Sequence, residues 1–286
     1  MKERIIFGVI GAAAAIAVFL YASSAVVFAL VAIIALMAVT EFLKAVSMLG
    51  DKSKIKLTVV TYIFFIAIIA AVFRSSVFYG MKSFTVFGAE YGYIMPVILV
   101  YIVAAFAVMV LNHKDITFSD VAVSIVGNIY ITLSLMHIFL IRILPNGGLY
   151  LWLPFIIAWL TDTFAYFTGV LIGRHKLIPA VSPKKTVEGS IGGVVGAVIT
   201  VVVYQLICAK MAGLQPDYLR GIAMAVACSV ASQFGDLAAS CIKREHGIKD
   251  FGSIMPGHGG VMDRFDSVIY ISPIVFLIIN HVGIFG

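Results

Sequence analysis

The chain consists of long apolar runs separated by short polar segments. A helix needs about 20 mostly apolar residues to cross the hydrocarbon core of a bilayer, and nine runs approach that length. We therefore predict an all-α, polytopic membrane helix bundle with about nine transmembrane helices. The predicted spans cover residues 5–22, 25–43, 57–73, 93–111, 120–141, 149–172, 191–209, 221–241 and 267–285.

The basic residues predict how these spans are oriented, because cytoplasmic segments of membrane proteins carry an excess of Lys and Arg. With the N-terminus in the cytoplasm, 15 of the 20 Lys and Arg residues lie in cytoplasmic segments. An odd number of spans then places the C-terminus outside. The first run also has the features of a signal peptide, a basic start followed by apolar and then small residues. The apolar spans that follow it favour a first transmembrane helix.

Composition supports the membrane assignment. The 286 residues are 62% hydrophobic and 12% charged, whereas soluble domains contain about 25% charged residues. The net charge of +6 is explained by loop orientation, and no nucleic-acid-binding motif is present in the sequence. The three cysteines show neither a disulfide pattern nor metal-ligand spacing. We expect a single membrane domain over 1–286, with N-terminal transmembrane helices in 1–148 and a catalytic half in 149–286 that carries cytoplasmic loops 174–190 and 243–266.

A carboxylate interrupts the sixth predicted span. Asp162 follows Trp159, Leu160 and Thr161, and a charge at the bilayer centre costs about 2.5–3.5 kcal/mol on insertion scales. Such a group faces a partner or a wet cavity. Asp162 is therefore a functional candidate, and the alternative is a structural hydrogen-bond acceptor between helices.

The loop at 174–190 has the composition of a polyphosphate site. Its core reads SPKKTVEGS, and two lysines with two hydroxyl side chains beside a helix start suit a polyphosphate. The alternative is that the lysines only reflect the cytoplasmic side of the membrane. The candidates for substrate binding in this loop are Ser182, Lys184, Lys185, Thr186 and Glu188.

A third polar cluster lies near the C-terminus. Asp236 falls inside the eighth predicted span, and Lys243 follows two helical turns later, on the same face. A Gly-His-Gly-Gly turn can direct successive amides at a phosphate oxygen. Asp263 and Asp266 share a face if the ninth helix begins there. Acidic groups on two helices, with cations and a glycine turn, indicate a site for Mg²⁺ and phosphate groups.

These residues closely resemble the pattern of the phosphatidate cytidylyltransferases, also called CDP-diacylglycerol synthases. That pattern places Ser-x-apolar-Lys-Arg before Lys-Asp, a small residue and His-Gly-Gly-x-x-Asp-Arg-x-Asp. One departure is Met255, where the pattern has Leu, Ile or Phe, and a flexible apolar side chain replaces these readily. The resemblance covers about residues 150–270. The matching residues are Ser240, Cys241, Ile242, Lys243, Arg244, Lys249, Asp250, Gly252, Pro256, His258, Gly259, Gly260, Asp263, Arg264 and Asp266.

The resemblance implies transfer of a cytidylyl group from CTP to phosphatidate, giving CDP-diacylglycerol and pyrophosphate in phospholipid biosynthesis. It also implies Mg²⁺, a second cation nearby and a homodimer, in the inner or plasma membrane of the cell with the site open to the cytoplasm. We expect catalytic roles for Asp236, Asp263, Lys243 and Arg264, and metal ligation by Asp236, Asp263, Asp266 and Asp162. The expected substrate-binding residues are Ser182, Lys184, Lys185, Thr186, Glu188, Arg244, Lys249, His258, Gly259 and Gly260.

Some alternatives stay open at this point. His258 suits an acid or base role, donation to a phosphate, or turn packing. A secondary transporter of anionic solutes or lipids would share the intramembrane carboxylates and the glycine-interrupted helices. A polyprenol kinase or a CDP-alcohol phosphotransferase is a nearer rival, although the Asp-Gly-x-x-Ala-Arg motif of the latter is absent from the sequence.

Overall fold

The structure, a computed structural model, describes residues 21–78, 92–254 and 259–285. Eight long helices lie in these ranges. A short 3-10 turn (Lys52–Lys54) and a single helical turn (Gly147–Tyr150) occur in the connections. The long helices are α1 (Ser24–Ala45), α2 (Ile55–Phe78), α3 (Ile94–Leu111), α4 (Phe118–Arg142), α5 (Leu153–Ile172), α6 (Val187–Ala212), α7 (Tyr218–Glu245) and α8 (Met262–His281).

Seven of these helices, α1 to α7, are long and apolar enough to cross a membrane. The prediction of an all-α, multi-pass helix bundle is therefore confirmed for the described part of the chain. The count of nine and the side of the N-terminus stay predictions. Almost all of the first predicted span lies outside the described residues. The ninth corresponds to α8, which is not among the seven candidate spans and carries three charged residues in its first five positions.

Side chains and glycines define where the helices begin and end. Thr117 and Asp120 form a capping box at the start of α4, which satisfies amides that have no partner within the helix. Thr186 accepts a hydrogen bond from the Gly189 amide at 3.1 Å, so α6 begins at 187, four residues before the predicted start of this span. Gly213 ends α6 in the left-handed conformation with φ of 66°, which glycine adopts without steric cost.

A row of glycines allows α6 to pack closely against α5. A Cβ atom at Gly192 would overlap the side chain of Thr168, and one at Gly196 would overlap the ring of Phe164. Small residues at such spacing let helices approach closely in membranes, where packing rather than the hydrophobic effect drives association. This close contact fixes the rotation of α5 about its axis, and hence the position of Asp162 relative to the N-terminus of α6.

Polar contacts tie together the helices of the N-terminal half. The Tyr101 hydroxyl of α3 lies 2.8 Å from Ser124 Oγ of α4, and Thr61 Oγ1 of α2 lies 2.5 Å from the same atom. Asn128 Nδ2 donates to the Thr61 carbonyl oxygen at 3.0 Å. All four side chains are buried and hydrogen-bonded, as polar groups between membrane helices must be. The N-terminal half is thus a packed bundle of its own helices.

The loop predicted at 174–190 contains a β-hairpin, which the sequence did not predict. Strands β1 (Lys176–Ile178) and β2 (Ser182–Thr186) are antiparallel, with Lys176 opposite Thr186. The second predicted loop, 243–266, is shorter than expected, because α7 continues to Glu245 and α8 begins at Met262. Asp263 and Asp266 therefore lie on one helix, as predicted.

We expect Gly192→Leu to destabilise the bundle by about 1–3 kcal/mol, because overpacking forces neighbouring groups apart. The matched control is Val195→Leu on the same helix, whose wild-type side chain is 53% exposed. Thermal unfolding of the detergent-purified variants measures the difference. Equal melting temperatures for the two variants would contradict the close packing of α5 and α6.

Candidate active site

Three carboxylates from three different helices lie near one another. Asp162 on α5, Asp236 on α7 and Asp266 on α8 lie close enough for their charges to interact. Asp263 lies one turn before Asp266 on α8 and is 5% exposed. The helix packing thus gathers the four predicted metal-binding residues into one region, although 104 positions separate the first from the last.

Two lysines form ion pairs with these carboxylates. Lys243 Nζ lies 2.8 Å from Asp263 Oδ1, and both side chains are buried, at 11% and 5% exposure. Lys185 of the hairpin pairs with Asp236, and this pair is more exposed, at 27% and 26%. Lys243 was expected to share a face of α7 with Asp236, yet its ammonium group pairs with α8 instead. The hairpin supplies the lysine that contacts Asp236.

Asp263 also organises the segment between α7 and α8. Its Oδ2 atom accepts hydrogen bonds from the Phe251 amide at 2.8 Å and from the Gly260 amide at 3.0 Å. Gly259 beside it has φ of 81°, a conformation that side-chain-bearing residues rarely adopt. The carboxylate therefore connects α7, the intervening segment and the first turn of α8.

The hairpin residues divide into two groups. Lys184 is exposed and Ser182 is half-buried. The Thr186 hydroxyl caps α6. Glu188 accepts hydrogen bonds from the amides of Arg174 and His175, and it lies 2.6 Å from the ring of His175. Thr186 and Glu188 thus have contacts that shape the hairpin, and their expected binding to substrate stays a prediction.

The remaining predicted basic residues lie around the segment that links α7 to α8. Lys249 and Arg264 are exposed. Arg244 is exposed as well, and its guanidinium donates to the Ile248 carbonyl oxygen at 3.4 Å. His258 lies outside the described residues, so its three candidate roles stay open. The cations described so far are distributed over the hairpin and this segment, on both sides of the carboxylate cluster.

The sequence reasoning missed one residue of this region, Glu41 of α1. It is 3% exposed, and its carboxylate accepts hydrogen bonds from the amides of Val261 and Met262 at 3.0 and 2.8 Å. A single carboxylate in a long apolar run is the signal that pointed to Asp162. The same signal was present in the second predicted span and was not used.

The oxygen atoms of the cluster suit a hard divalent cation such as Mg²⁺. Two lysines neutralise two of the four carboxylates, and Ser232, one turn before Asp236, has a buried hydroxyl oxygen without a hydrogen-bond partner among the described residues. Asp263 fits less well, because both its oxygens already accept hydrogen bonds. Across residues 21–78, 92–254 and 259–285, no group of three or more His, Cys, Asp or Glu is arranged as a ready metal cage.

Comparison with known proteins shows which family the chain resembles. The model of the cytidylyltransferase family matches residues 2–282. A phosphatidate cytidylyltransferase of Bacillus subtilis is 38% identical over 184 residues, which cover 62% of this chain and 67% of the relative. Proteins of the same name from Staphylococcus epidermidis and Staphylococcus aureus are each 36% identical over 170 residues, which cover 59% of this chain and 63% of the relative. The matched regions thus span about two thirds of these relatives, or slightly less.

We expect Lys243→Met to destabilise the fold by about 3–5 kcal/mol, because it leaves the buried Asp263 carboxylate without its cation. Lys185→Met removes a more exposed pair and should cost at most about 1 kcal/mol. Denaturation of both variants in detergent measures the difference. Equal losses for the two single variants would contradict the assigned pairing.

Proposed function

Because the chain belongs to the cytidylyltransferase family, we propose that it transfers a cytidylyl group from CTP to phosphatidate, giving CDP-diacylglycerol and pyrophosphate. Membership confirms the family resemblance and the enzyme class predicted from the sequence. The single observation that carries the assignment of the site is the meeting of Asp162, Asp236 and Asp266 from three helices, beside two paired lysines.

The transfer of a cytidylyl group suits such a site. A phosphatidate oxygen attacks the α-phosphorus of CTP, the bond from that phosphorus to the bridging oxygen breaks, and pyrophosphate leaves with the electron pair. The attacking oxygen already carries negative charge, so the barrier lies mainly in bringing two anions together in line. Positioning and cationic groups lower such a barrier, and a general base contributes little.

Divalent metal is part of the proposal. Asp236 would hold Mg²⁺ together with Asp266 and Asp162, and Asp263 would contribute through the free lone pairs of its oxygens. A bound Mg²⁺ would neutralise charge on the phosphate oxygens and on the leaving pyrophosphate. Two carboxylates in excess of the paired lysines support a cation here, because an uncompensated charge is costly in a membrane helix bundle. A second cation near Asp263 is proposed from the family resemblance alone.

The basic residues would bind the phosphate groups. Lys184 and Lys185 lie in strand β2 just before α6, and two adjacent ammonium groups suit a polyphosphate, so this side of the site suits the CTP triphosphate. Lys249, Arg244 and Arg264 lie in or beside the segment between α7 and α8 and would share the lipid phosphate and the pyrophosphate with His258. Lys243 would contribute to the reaction through its ion pair with Asp263.

We place this site at the cytoplasmic face, because the basic residues of the hairpin and of the 246–261 segment follow the bias of cytoplasmic loops. CTP is soluble and reaches the site from the cytosol, whereas phosphatidate stays in its leaflet. A polar opening that descends to Asp162 and Asp236 would let both substrates meet without extraction of the lipid. In the proposed homodimer each site would be formed by residues of one chain.

We expect the purified protein to form labelled CDP-lipid from radiolabelled CTP, phosphatidate and Mg²⁺, and to lose this activity with EDTA. Asp236→Asn and Asp263→Asn should each lower kcat by about 100-fold or more, because each removes charge that holds cations at the reacting phosphates. The matched control is Asp115→Asn, at an exposed site between α3 and α4. If wild-type protein forms no product while proteoliposomes accumulate an anionic solute, the transporter alternative replaces the proposal.

The side of the membrane that the site faces can be tested separately. In a variant without Cys208, Cys228 and Cys241, we introduce Lys184→Cys in the hairpin or Lys210→Cys at the opposite end of α6. A membrane-impermeant maleimide should label the Lys210→Cys protein in intact cells and the Lys184→Cys protein only after permeabilisation. The reverse pattern would place the site outside.

A further inference from the structure

Glu41 is an acidic residue in the apolar helix α1, far in sequence from the site. It is 3% exposed, and burial of a carboxylate in a membrane helix is unfavourable unless its oxygens find partners. Its partners are the Val261 and Met262 amides, at 3.0 and 2.8 Å. These amides belong to the start of α8, 220 residues along the chain.

Two glycines make room for the Glu41 carboxylate. A Cβ atom at Gly252 or at Gly260 would overlap its carboxylate oxygens. Both glycines belong to the segment between α7 and α8 that carries the family resemblance. The absence of a side chain at these two positions is therefore explained by the approach of α1, in addition to any contact with phosphate.

Glu41 and Asp263 hold three successive amides at the start of α8. Gly260 donates to Asp263 at 3.0 Å, and Val261 and Met262 donate to Glu41. Amides at a helix N-terminus have no partners within the helix, and their partial positive charge favours carboxylates. Because the two carboxylates hold adjacent peptide groups, a shift of α8 away from Glu41 would also change the orientation of Asp263.

We propose that Glu41 is a positioning residue for the reaction: it fixes the N-terminus of α8 and thereby the position of Asp263 and Asp266. It touches backbone amides of α8 and acts on the reaction through Asp263 and its ion pair with Lys243. The N-terminal half of the chain thus supplies a residue to the machinery of the C-terminal half. The effect on catalysis rests on the proposed function, whereas the contact itself does not.

Glu41→Gln tests the role with a nearly identical shape. The amide carbonyl still accepts a hydrogen bond, but the NH₂ group meets a second backbone donor. We expect kcat per folded molecule to fall about 10- to 100-fold, as for other residues that orient metal-binding groups, with a smaller change in KM for CTP. The control is Thr40→Val on the same helix, which removes a contact to the Tyr62 hydroxyl at 3.0 Å and should leave kcat within about twofold of wild type. Loss of folded protein with unchanged kcat per folded molecule would overturn the proposal.

A double-variant cycle tests the contact between Glu41 and Gly252. Gly252→Ala should lower kcat strongly in the wild-type background, because its methyl group meets the Glu41 carboxylate. In a Glu41→Ala background the same change should have little further effect. Equal losses from Gly252→Ala in both backgrounds would overturn the proposal, even if both single variants are impaired.

A third measurement does not depend on activity. With the native cysteines removed, a Ser253→Cys variant reports the order of the segment next to Gly252 through its rate of maleimide labelling. Adding Glu41→Gln should raise this rate several-fold, and adding Thr40→Val should leave it unchanged. If wild-type protein forms no CDP-lipid but the labelling rates differ as expected, the proposed function fails and the contact stands. If the rates are equal, the contact fails whatever the activity.

Discussion

The carboxylate of Asp263 joins the two helices and the connecting segment on which the site is built. It accepts hydrogen bonds from Lys243 on α7, from the Phe251 amide and from the Gly260 amide before α8. A buried charge in an apolar bundle is tolerated only when such partners satisfy it. Its contacts therefore fix the start of α8 relative to Lys243 and Phe251.

The carboxylates of this region serve two different purposes. Glu41 and Asp263 accept hydrogen bonds at both carboxylate oxygens, and these bonds hold the start of α8 in place. Asp162, Asp236 and Asp266 interact with one another, and mutual repulsion is a cost that a compact fold bears where it binds a cation. Glu41 and Asp263 bind amides at the start of α8, and Asp266 of the cluster lies one turn further along that helix. A rigid support beside an electrostatically unsatisfied cluster is the arrangement that binding a metal and a polyphosphate requires.

The sequence predicted the helices and the site residues with different success. Long apolar runs predicted α1 to α7 well, because a membrane leaves few alternatives to a helix for an apolar segment of that length. The hairpin was missed because SPKKT lacks the alternation of apolar and polar residues typical of strands and has only one β-branched residue, Thr186. The Lys185–Asp236 pair was missed because helical periodicity reports which residues share a face of one helix, not what the neighbouring element places opposite. Glu41 stood in an apolar run as Asp162 did, but its partners could not be predicted, because they are backbone amides, which leave no mark in side-chain patterns.

The two ion pairs of the site differ in how readily they can exchange partners. The Lys243–Asp263 pair is buried and reinforced by backbone amides, so breaking it exposes an unpaired charge to an apolar environment. The Lys185–Asp236 pair is about a quarter exposed on each side, and water can replace either partner at a modest free-energy cost. In the proposed reaction the CTP triphosphate would offer Lys185 a more highly charged partner, and the Asp236 carboxylate would then be available to hold Mg²⁺. In this proposal the more exposed pair would meet the entering substrate and the buried pair would hold α7 and α8 together, so the difference in burial would match the difference in role.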